Sequence, residues 1–368
     1  MGAGAGGHRR GHRVRREQPV PRAVRPAGRR LHRRRCQVSD RTLTYGQAFS
    51  EAIRLEMEAD PNVFIAGEDV GAHGGVFHTF DGVQSEFGER RAVDTPISEQ
   101  AIIGLGVGAA VTGLRPIVDL MFMDFSLVAA DQIVNQAAKL KYMFGGEAKL
   151  PMVITTHGGA GLSAAAQHSQ SLEALFCHIP GLQVVFPSNA YDVKGLMASA
   201  ILEDNPVLFV LHKRMLGLKG PVPEGRYTVP LGQAMVTREG SDVTVVSWGR
   251  THNEALAAAE TLAGEGVQVE VIDLRTLSPL DTATVVASVK KTNRVVVAHE
   301  AVRFGGFGAE VAAQIQEEAF DYLDAPVGRV GAPFSPVPFT PALENLYVPD
   351  AARIAESVRA ALARPLLG

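Results

Sequence analysis

The chain has 368 residues, room for two domains at roughly 150 residues each, and its 46% hydrophobic and 20% charged residues describe a globular protein with a sizeable core. The longest apolar run, at 101–111, is broken by glycine and too short for the ~20-residue stretch of a transmembrane helix, and two cysteines, Cys36 and Cys177, exclude a disulfide framework. A net charge of −3 hides an asymmetry: residues 1–37 carry twelve arginines and one acid, Glu17, while the rest carries 24 basic and 38 acidic residues.

Residues 1–40 read as a disordered basic tail, because Gly, Pro and Arg without apolar periodicity cannot bury a core. A mitochondrial transit peptide is also Arg-rich, but it is Ser-rich and amphipathic too, and residues 1–37 hold no Ser or Thr. No aromatic residues interleave the arginines, so a nucleic-acid arm has no support. The reading adopted is a start assigned too early, with Val38 the true first residue. Two cysteines without ligand spacing point to a reducing compartment, hence a cytoplasmic location with the mitochondrial matrix as alternative.

From Thr42 onward, helical periodicity alternates with short β-branched runs, the pattern of α/β layers around a largely parallel sheet. Helices are predicted at 44–59, 99–112, 126–143 and 189–203, and strands at 63–66, 116–120, 152–156, 183–186 and 207–211. Three glycines and three prolines within 217–230 mark a linker, set at 217–231. A second series follows: strands at 243–247, 267–273 and 294–298, and helices at 252–262, 309–320 and 351–362. The expected fold class is α/β, with two doubly wound parallel-sheet domains at 41–216 and 232–368.

The stretch most open to chemistry runs from Asp94 through Pro96, Ile97, Ser98 and Glu99 to Gly108. Pro96 and Ser98 read as a turn and cap before a helix, which puts Glu99 in its first turn. There a carboxylate can simply favour the helix dipole, or it can act as an acid–base group if an apolar neighbourhood raises its pKa. The run from Asp119 to Phe125, with Met121 and Phe122 inside it, could supply that neighbourhood or be ordinary core. Gly104, Gly106 and Gly108 each cost a helix about 1 kcal/mol against Ala, so a close approach must compensate. The small-residue loop from His157 to Gln170 has the composition of loops that sit over sites, and its His168 is either a solvent-exposed bystander or a functional group. Gly305–Gly308 opens a helix after a strand, as a tight turn or a phosphate cradle. No metal-ligating cluster and no Ser-His-Asp order is present.

Taken together, Gly67-Glu-Asp-Val-Gly71, Asp94-Thr-Pro-Ile-Ser-Glu99, Gly113-Leu-Arg-Pro116, His168-Ser-Gln170, Pro180-Gly-Leu182 and Asp273-Leu-Arg-Thr-Leu-Ser-Pro-Leu-Asp281 resemble the β subunits of the pyruvate, branched-chain 2-oxo acid and acetoin dehydrogenases. These are thiamine-diphosphate enzymes of the transketolase-like superfamily. The resemblance covers about residues 42–365 and implies a pyrimidine-binding domain followed by a transketolase carboxy-terminal-like domain, the latter for dimerisation and docking. It implies that Glu99 hydrogen-bonds the pyrimidine nitrogen of thiamine diphosphate and that Ile97, Met121 and Phe125 line the ring pocket. It implies that His168 donates a proton during acyl transfer to a lipoyl arm. Its partners would be an α subunit in an α2β2 heterotetramer, a lipoyl-bearing acyltransferase core and a small-molecule 2-oxo acid, with no nucleic acid and no membrane.

The chain departs from the family at Pro206-Val-Leu-Phe-Val-Leu211-His-Lys-Arg-Met215, where the usual glutamate and a following tyrosine are missing, and this bears on substrate choice. The superfamily grips the diphosphate metal with a Gly-Asp-Gly motif, which occurs nowhere in this sequence. The Mg²⁺ ligands are therefore expected on the α subunit, with no metal and no structural potassium ion on this chain. A complete transketolase-type enzyme, a non-catalytic scaffold and a nucleotide-binding module are the competing readings.

Overall fold

The computed structural model describes residues 1–2 and 41–364, so the tail predicted for residues 1–40 lies outside the described residues, its first two excepted. The described chain starts with β1 (Thr42–Thr44) and α1 (Tyr45–Ala59), joined by a capping box: Thr44 Oγ1 accepts from the Gln47 amide at 3.1 Å, and Gln47 Oε1 accepts from the Thr44 amide at 2.9 Å. Tyr45, Ala48, Phe49, Ala52, Ile53 and Met57 share the buried face of α1, the helical spacing visible in the sequence.

β2 (Val63–Gly67) leads through α2 (Val83–Phe87) to β3 (Ala92–Asp94), and α3 (Glu99–Val111) carries the chain back to β4 (Arg115–Phe122). The helix predicted at 126–143 is broken. It is a 3₁₀ turn at Met123–Leu127, a π-helical turn at Gln132–Ala137 and a short α4 (Leu140–Met143). The widened turn lies where another segment presses on the backbone: a Cβ on Gly181 would stand 2.0 Å from the Ala138 carbonyl oxygen, so the helix there meets main chain rather than side chain.

β5 (Val153–Gly158), α5 (Glu173–Cys177), β6 (Gln183–Val185), α6 (Ala190–Leu202) and β7 (Val207–His212) continue the first sheet and its helices. The segment predicted as a linker is tied to this layer. Its β8 (Lys219–Pro221) pairs antiparallel with β1, Val222 and Val229 are buried, and Arg226 is ion-paired with Glu56 at 2.6 Å.

The second sheet comprises β9 (Met235–Arg238), β10 (Val243–Ser247), β11 (Val269–Asp273), β13 (Val295–Val302) and β14 (Gly328–Ala332), in the order β14-β13-β10-β11-β9 and parallel except for β9. Its helices are α7 (Gly249–Ala263), α8 (Thr282–Thr292), α9 (Gly308–Ala319), α10 (Pro341–Tyr347) and α11 (Ala351–Leu362). The short β12 (Thr276–Ser278) crosses to the first sheet and pairs antiparallel with β6, giving the order β12-β6-β7-β5-β4-β2-β3.

One apolar cluster runs continuously from Ile103, Val118 and Ile154 of the first sheet's layers to Trp248, Ile272 and Val297 of the second. The opposite face of the first sheet packs against α1 and α6, and the outer face of the second against α7 and α11. The large shared core fixes one sheet on the other, and each fully buried Val, Leu, Ile or Phe contributes about 1.5–3 kcal/mol of transfer free energy.

Candidate functional site

Strand order decides where a site can form. From β2 the chain steps outward to β3 and then returns over β2 to β4, so the loops that leave the carboxyl ends of β2 and β4 diverge. A crevice outside the strand ends at such a reversal is where α/β sheets bind ligands.

The β2 side is built from the Gly67-Glu-Asp-Val-Gly71 turn. A Cβ on Gly67 would stand 2.9 Å from both the Asp119 carbonyl oxygen and Val70 Cγ1, and one on Gly71 would lie 2.5 Å from Asp94 Oδ2. Asp94 Oδ1 accepts the Gly71 amide at 2.6 Å, which ties the ends of β2 and β3 together. Five residues beyond the end of β3, Glu99 opens α3, half-buried, with Ile97 nearby 74% exposed. Ser98 stands at the N-cap as expected, yet its side chain makes no capping hydrogen bond. Burial and the charges of Asp69 and Glu99 together raise the pKa of Glu68, which places the Glu68 carboxylate in the field of Glu99.

Of the three helix glycines, Gly106 alone is required by packing in this chain. Its Cβ would lie 2.9 Å from Val118 Cγ1 and 3.0 Å from Met152 Cε, whereas Gly104 has ordinary room and Gly108 faces open space.

The β4 side is a bulge. Asp119 pairs with Thr155 and Phe122 with His157, so Leu120 and Met121 together oppose Thr156 alone. Met121 takes φ +54, a conformation that costs a side-chain-bearing residue roughly 1–2 kcal/mol and is held by hydrogen bonds on both sides of the residue. The Met121 amide donates to Asp119 Oδ2 at 3.1 Å, and its carbonyl oxygen faces Thr156 Oγ1 at 3.3 Å and His157 Nδ1 at 3.2 Å. Asp119 also accepts from the Thr155 hydroxyl at 2.7 Å. Burial pushes the Asp119 carboxyl up to about 6 against these hydrogen bonds, and burial lowers the His157 imidazole to about 3.

Beyond the bulge the rings gather. Phe122 meets Phe77 at 5.2 Å, Phe125 at 5.5 Å and His168 at 4.8 Å, and Phe125 meets His168 at 5.3 Å. His168 is thus half-buried against two rings rather than a bystander in solvent. Lys213 donates through Nζ to the His168 carbonyl oxygen and lies 5.0 Å above the Phe122 ring. Burial lowers its pKa to about 8, opposed by the charges of Asp124, Glu300 and Glu344.

The structure therefore brings Phe125 and His168 into one cluster around Phe122, with Met121 the residue before it in the chain. Glu99 and Ile97 follow β3 at the start of α3, and among the described residues no hydrogen bond or ion pair joins Glu99 to that cluster. Sequence reasoning assigned no role to Asp119, His157 or Lys213. Their signal was an ionisable residue inside or just after an otherwise apolar strand. Gly306 and Gly308 are accounted for by packing, since Cβ atoms there would stand 2.5 Å from the Val302 carbonyl oxygen and 2.4 Å from the His299 ring.

The transketolase pyrimidine-binding domain family matches residues 41–219, and the transketolase C-terminal domain family matches residues 232–354. The chain is 49% identical over 329 residues to the acetoin:2,6-dichlorophenolindophenol oxidoreductase subunit beta of Cupriavidus necator, covering 87% of this chain and 97% of that one. It is 46% identical to the pyruvate dehydrogenase E1 component subunit beta of Rickettsia felis, over 86% of this chain and 97% of the relative. It is 42% identical to the 2-oxoisovalerate dehydrogenase subunit beta of Bacillus subtilis, over 86% and 98%. Among solved structures, a split-gene transketolase forming an inactive beta4 tetramer superposes with a TM-score of 0.70 at 26% identity, covering 88% of this chain and 99% of that chain.

Proposed function

We propose, because this chain belongs to the transketolase-like family of 2-oxo acid and acetoin dehydrogenase β subunits, that it works with an α subunit to decarboxylate a 2-oxo acid and pass the acyl group to a lipoyl arm. The observation that carries the reading is the reversal of strand order at β2, with the half-buried carboxylate of Glu99 following β3 and a cluster of aromatic rings following the strained Met121 at the end of β4.

The residues present fit the ring half of thiamine diphosphate. An exposed aliphatic side chain at Ile97 and the half-buried ring of Phe125 offer apolar contact, and Glu99 offers the single carboxylate a pyrimidine nitrogen needs. The diphosphate and its Mg²⁺ are assigned to the α subunit, since the sequence has no Gly-Asp-Gly grip and the described residues contain no group of His, Cys, Asp and Glu able to hold a metal. When bound, thiamine diphosphate supplies an acidic thiazolium carbon and an electron sink for loss of carbon dioxide.

The chain's own side chains do the rest. Glu99 holds a proton at the pyrimidine nitrogen and so governs the protonation of the ring. Ile97, Met121 and Phe125 pack on the ring and keep water from it. Asp119 fixes the backbone that aims Met121 and Phe122. His168 supplies the proton to one lipoyl sulfur as the other takes the acyl group and the sulfur–sulfur bond opens.

Glu99→Gln keeps shape and a hydrogen bond but cannot exchange the proton. General acid–base steps contribute about 10²–10⁴ in rate, so the reconstituted enzyme should lose decarboxylation with an artificial electron acceptor on that scale. Cofactor affinity should change far less. Near-wild-type turnover in a folded, cofactor-loaded Glu99→Gln enzyme would remove Glu99 from the mechanism.

Acetoin is the second reading of the substrate, favoured by the identity to a chain named for acetoin oxidation. Turnover of acetoin, pyruvate and branched-chain 2-oxo acids by the same α2β2 preparation separates the two.

A further inference from the structure

We propose that the second domain takes part in this reaction through two buried carboxylates, Glu344 and Glu300, which position the loop that carries His168. The inference rests on the acyl-transfer role read for His168.

The loop between β5 and α5 could not hold its shape unaided. It is rich in Gly, Ala and Ser, and Gly159, Gly161, Ser163 and Ala165 all take positive φ, at +88, +102, +53 and +62. Successive turns of this kind aim main-chain N–H groups at one side, a geometry suited to an anion. Here side chains of the second domain supply the anions. Glu344, on α10 and 2% exposed, accepts the Gly161 amide at 2.6 Å through Oε1 and the Ser163 amide at 2.9 Å through Oε2. Glu300, on β13 and 7% exposed, accepts the Ala160 amide at 2.6 Å through Oε1.

The two glycines are needed for this fit. A Cβ on Gly159 would lie 2.1 Å from His212 Nε2, and one on Gly161 would lie 2.3 Å from Arg214 Cδ.

The far end of the loop is tied to the same network. Glu300 Oε2 faces His212 Nε2 at 2.9 Å, and the next residue, Lys213, donates to the His168 carbonyl oxygen. The loop is thus held by carboxylates at its first amides and by an ammonium at His168. At the second anchor the His168 ring lies edge-on to Phe122 and Phe125. Loss of the anchor at Gly161 and Ser163 frees the loop to shift, and a shift of about 1 Å in a reacting group costs on the order of 10²-fold in rate. In the reaction proposed above, Glu99 serves decarboxylation and the His168 proton is used only in the transfer to the lipoyl sulfur. Glu344 is therefore a positioning residue for the transfer step alone.

The test uses the assembled α2β2 enzyme. Glu344→Gln keeps one acceptor oxygen but turns an NH₂ group toward a backbone N–H. Two rates are measured for it and for His168→Ala: decarboxylation with an artificial acceptor, and acyl transfer to a lipoylated domain. We expect Glu344→Gln to lower the transfer rate about 10–100-fold, leave decarboxylation within about threefold, and speed amide hydrogen exchange over residues 159–168. Equal losses in both rates, or unchanged transfer where His168→Ala abolishes it, would overturn the inference. If His168→Ala leaves transfer intact, the reading of His168 fails instead, and the exchange data still report whether Glu344 holds the loop. Should Glu344→Gln not assemble, Glu344→Asp, which keeps the charge but cannot span both amides, goes through the same assays; failure of both to assemble makes Glu344 structural and ends the proposal.

Discussion

Replacing Asp119 by Asn tests whether a buried carboxyl shapes the crevice. In the wild type, Asp119 accepts two hydrogen bonds, from the Met121 amide and the Thr155 hydroxyl, while burial raises its pKa from 3.8 to about 6. A folded-state pKa above the unfolded value means the native protein binds the proton more tightly. Stability from this group is therefore fully present below about pH 4 and is lost as pH rises to about 6. The roughly hundredfold difference in proton affinity corresponds to about 3 kcal/mol.

Asn can reproduce both contacts. Its oxygen can accept the Met121 amide, and its NH₂ can face Thr155 Oγ1, whose hydroxyl then turns to the Val118 carbonyl oxygen at 3.4 Å. It has no carboxyl to ionise. Asp119→Asn should match the wild type near pH 4 and exceed it by about 2–3 kcal/mol above pH 7. Asp119→Ala leaves the Met121 N–H and the Thr155 hydroxyl buried and unpaired, at roughly 1–3 kcal/mol each, and releases the Met121 backbone. Urea unfolding at pH 4, 5.5 and 7.5 reads the three proteins. Parallel stability curves for wild type and Asp119→Asn would refute the account, because they would mean the Asp119 carboxyl is not held out of water.

Three further outcomes follow from the same geometry. His157, lowered by burial to about 3 against an ordinary 6.5, should cost stability as pH falls below 6.5, by about 2 kcal/mol at pH 5, and His157→Gln should remove that slope in an acid titration of unfolding. Gly106→Ala pushes a methyl to within 2.9 Å of Val118 and should destabilise the chain by about 1–3 kcal/mol, read as a lower urea midpoint. Gly108→Ala meets nothing within 4 Å and should stabilise the isolated chain by up to about 1 kcal/mol through helix propensity, read in the same experiment.

The candidate residues could be singled out because their signals are local. Pro96 and Ser98 ahead of an apolar run are sufficient to start a helix at Glu99, although Ser98 does not cap it with its side chain. The Asp119–Phe125 run showed itself by charge and aromatics within a strand. The predicted helix at 126–143 failed because its pattern is periodic while its backbone must yield to Gly181, about forty residues later in sequence. The linker was marked by Gly and Pro, but those residues also suit a strand at a sheet edge, and β8 needed β1 to form.

Alternation of apolar periods determined the α/β class and its two parallel-sheet layers from sequence alone, since each period is set by the geometry of a single element. The resemblance of its motifs to a known family made Ile97, Glu99, Met121, Phe125 and His168 candidates. Only the tertiary structure decided that Met121 is turned to positive φ, that His157 and Lys213 are buried at the site, and that β12 joins the first sheet. It alone brought Glu300 and Glu344 onto amides 140 and 183 residues away. Contacts at such separations leave no periodic trace in the chain, because either carboxylate reads locally as one more acidic residue until the fold supplies the N–H groups it accepts.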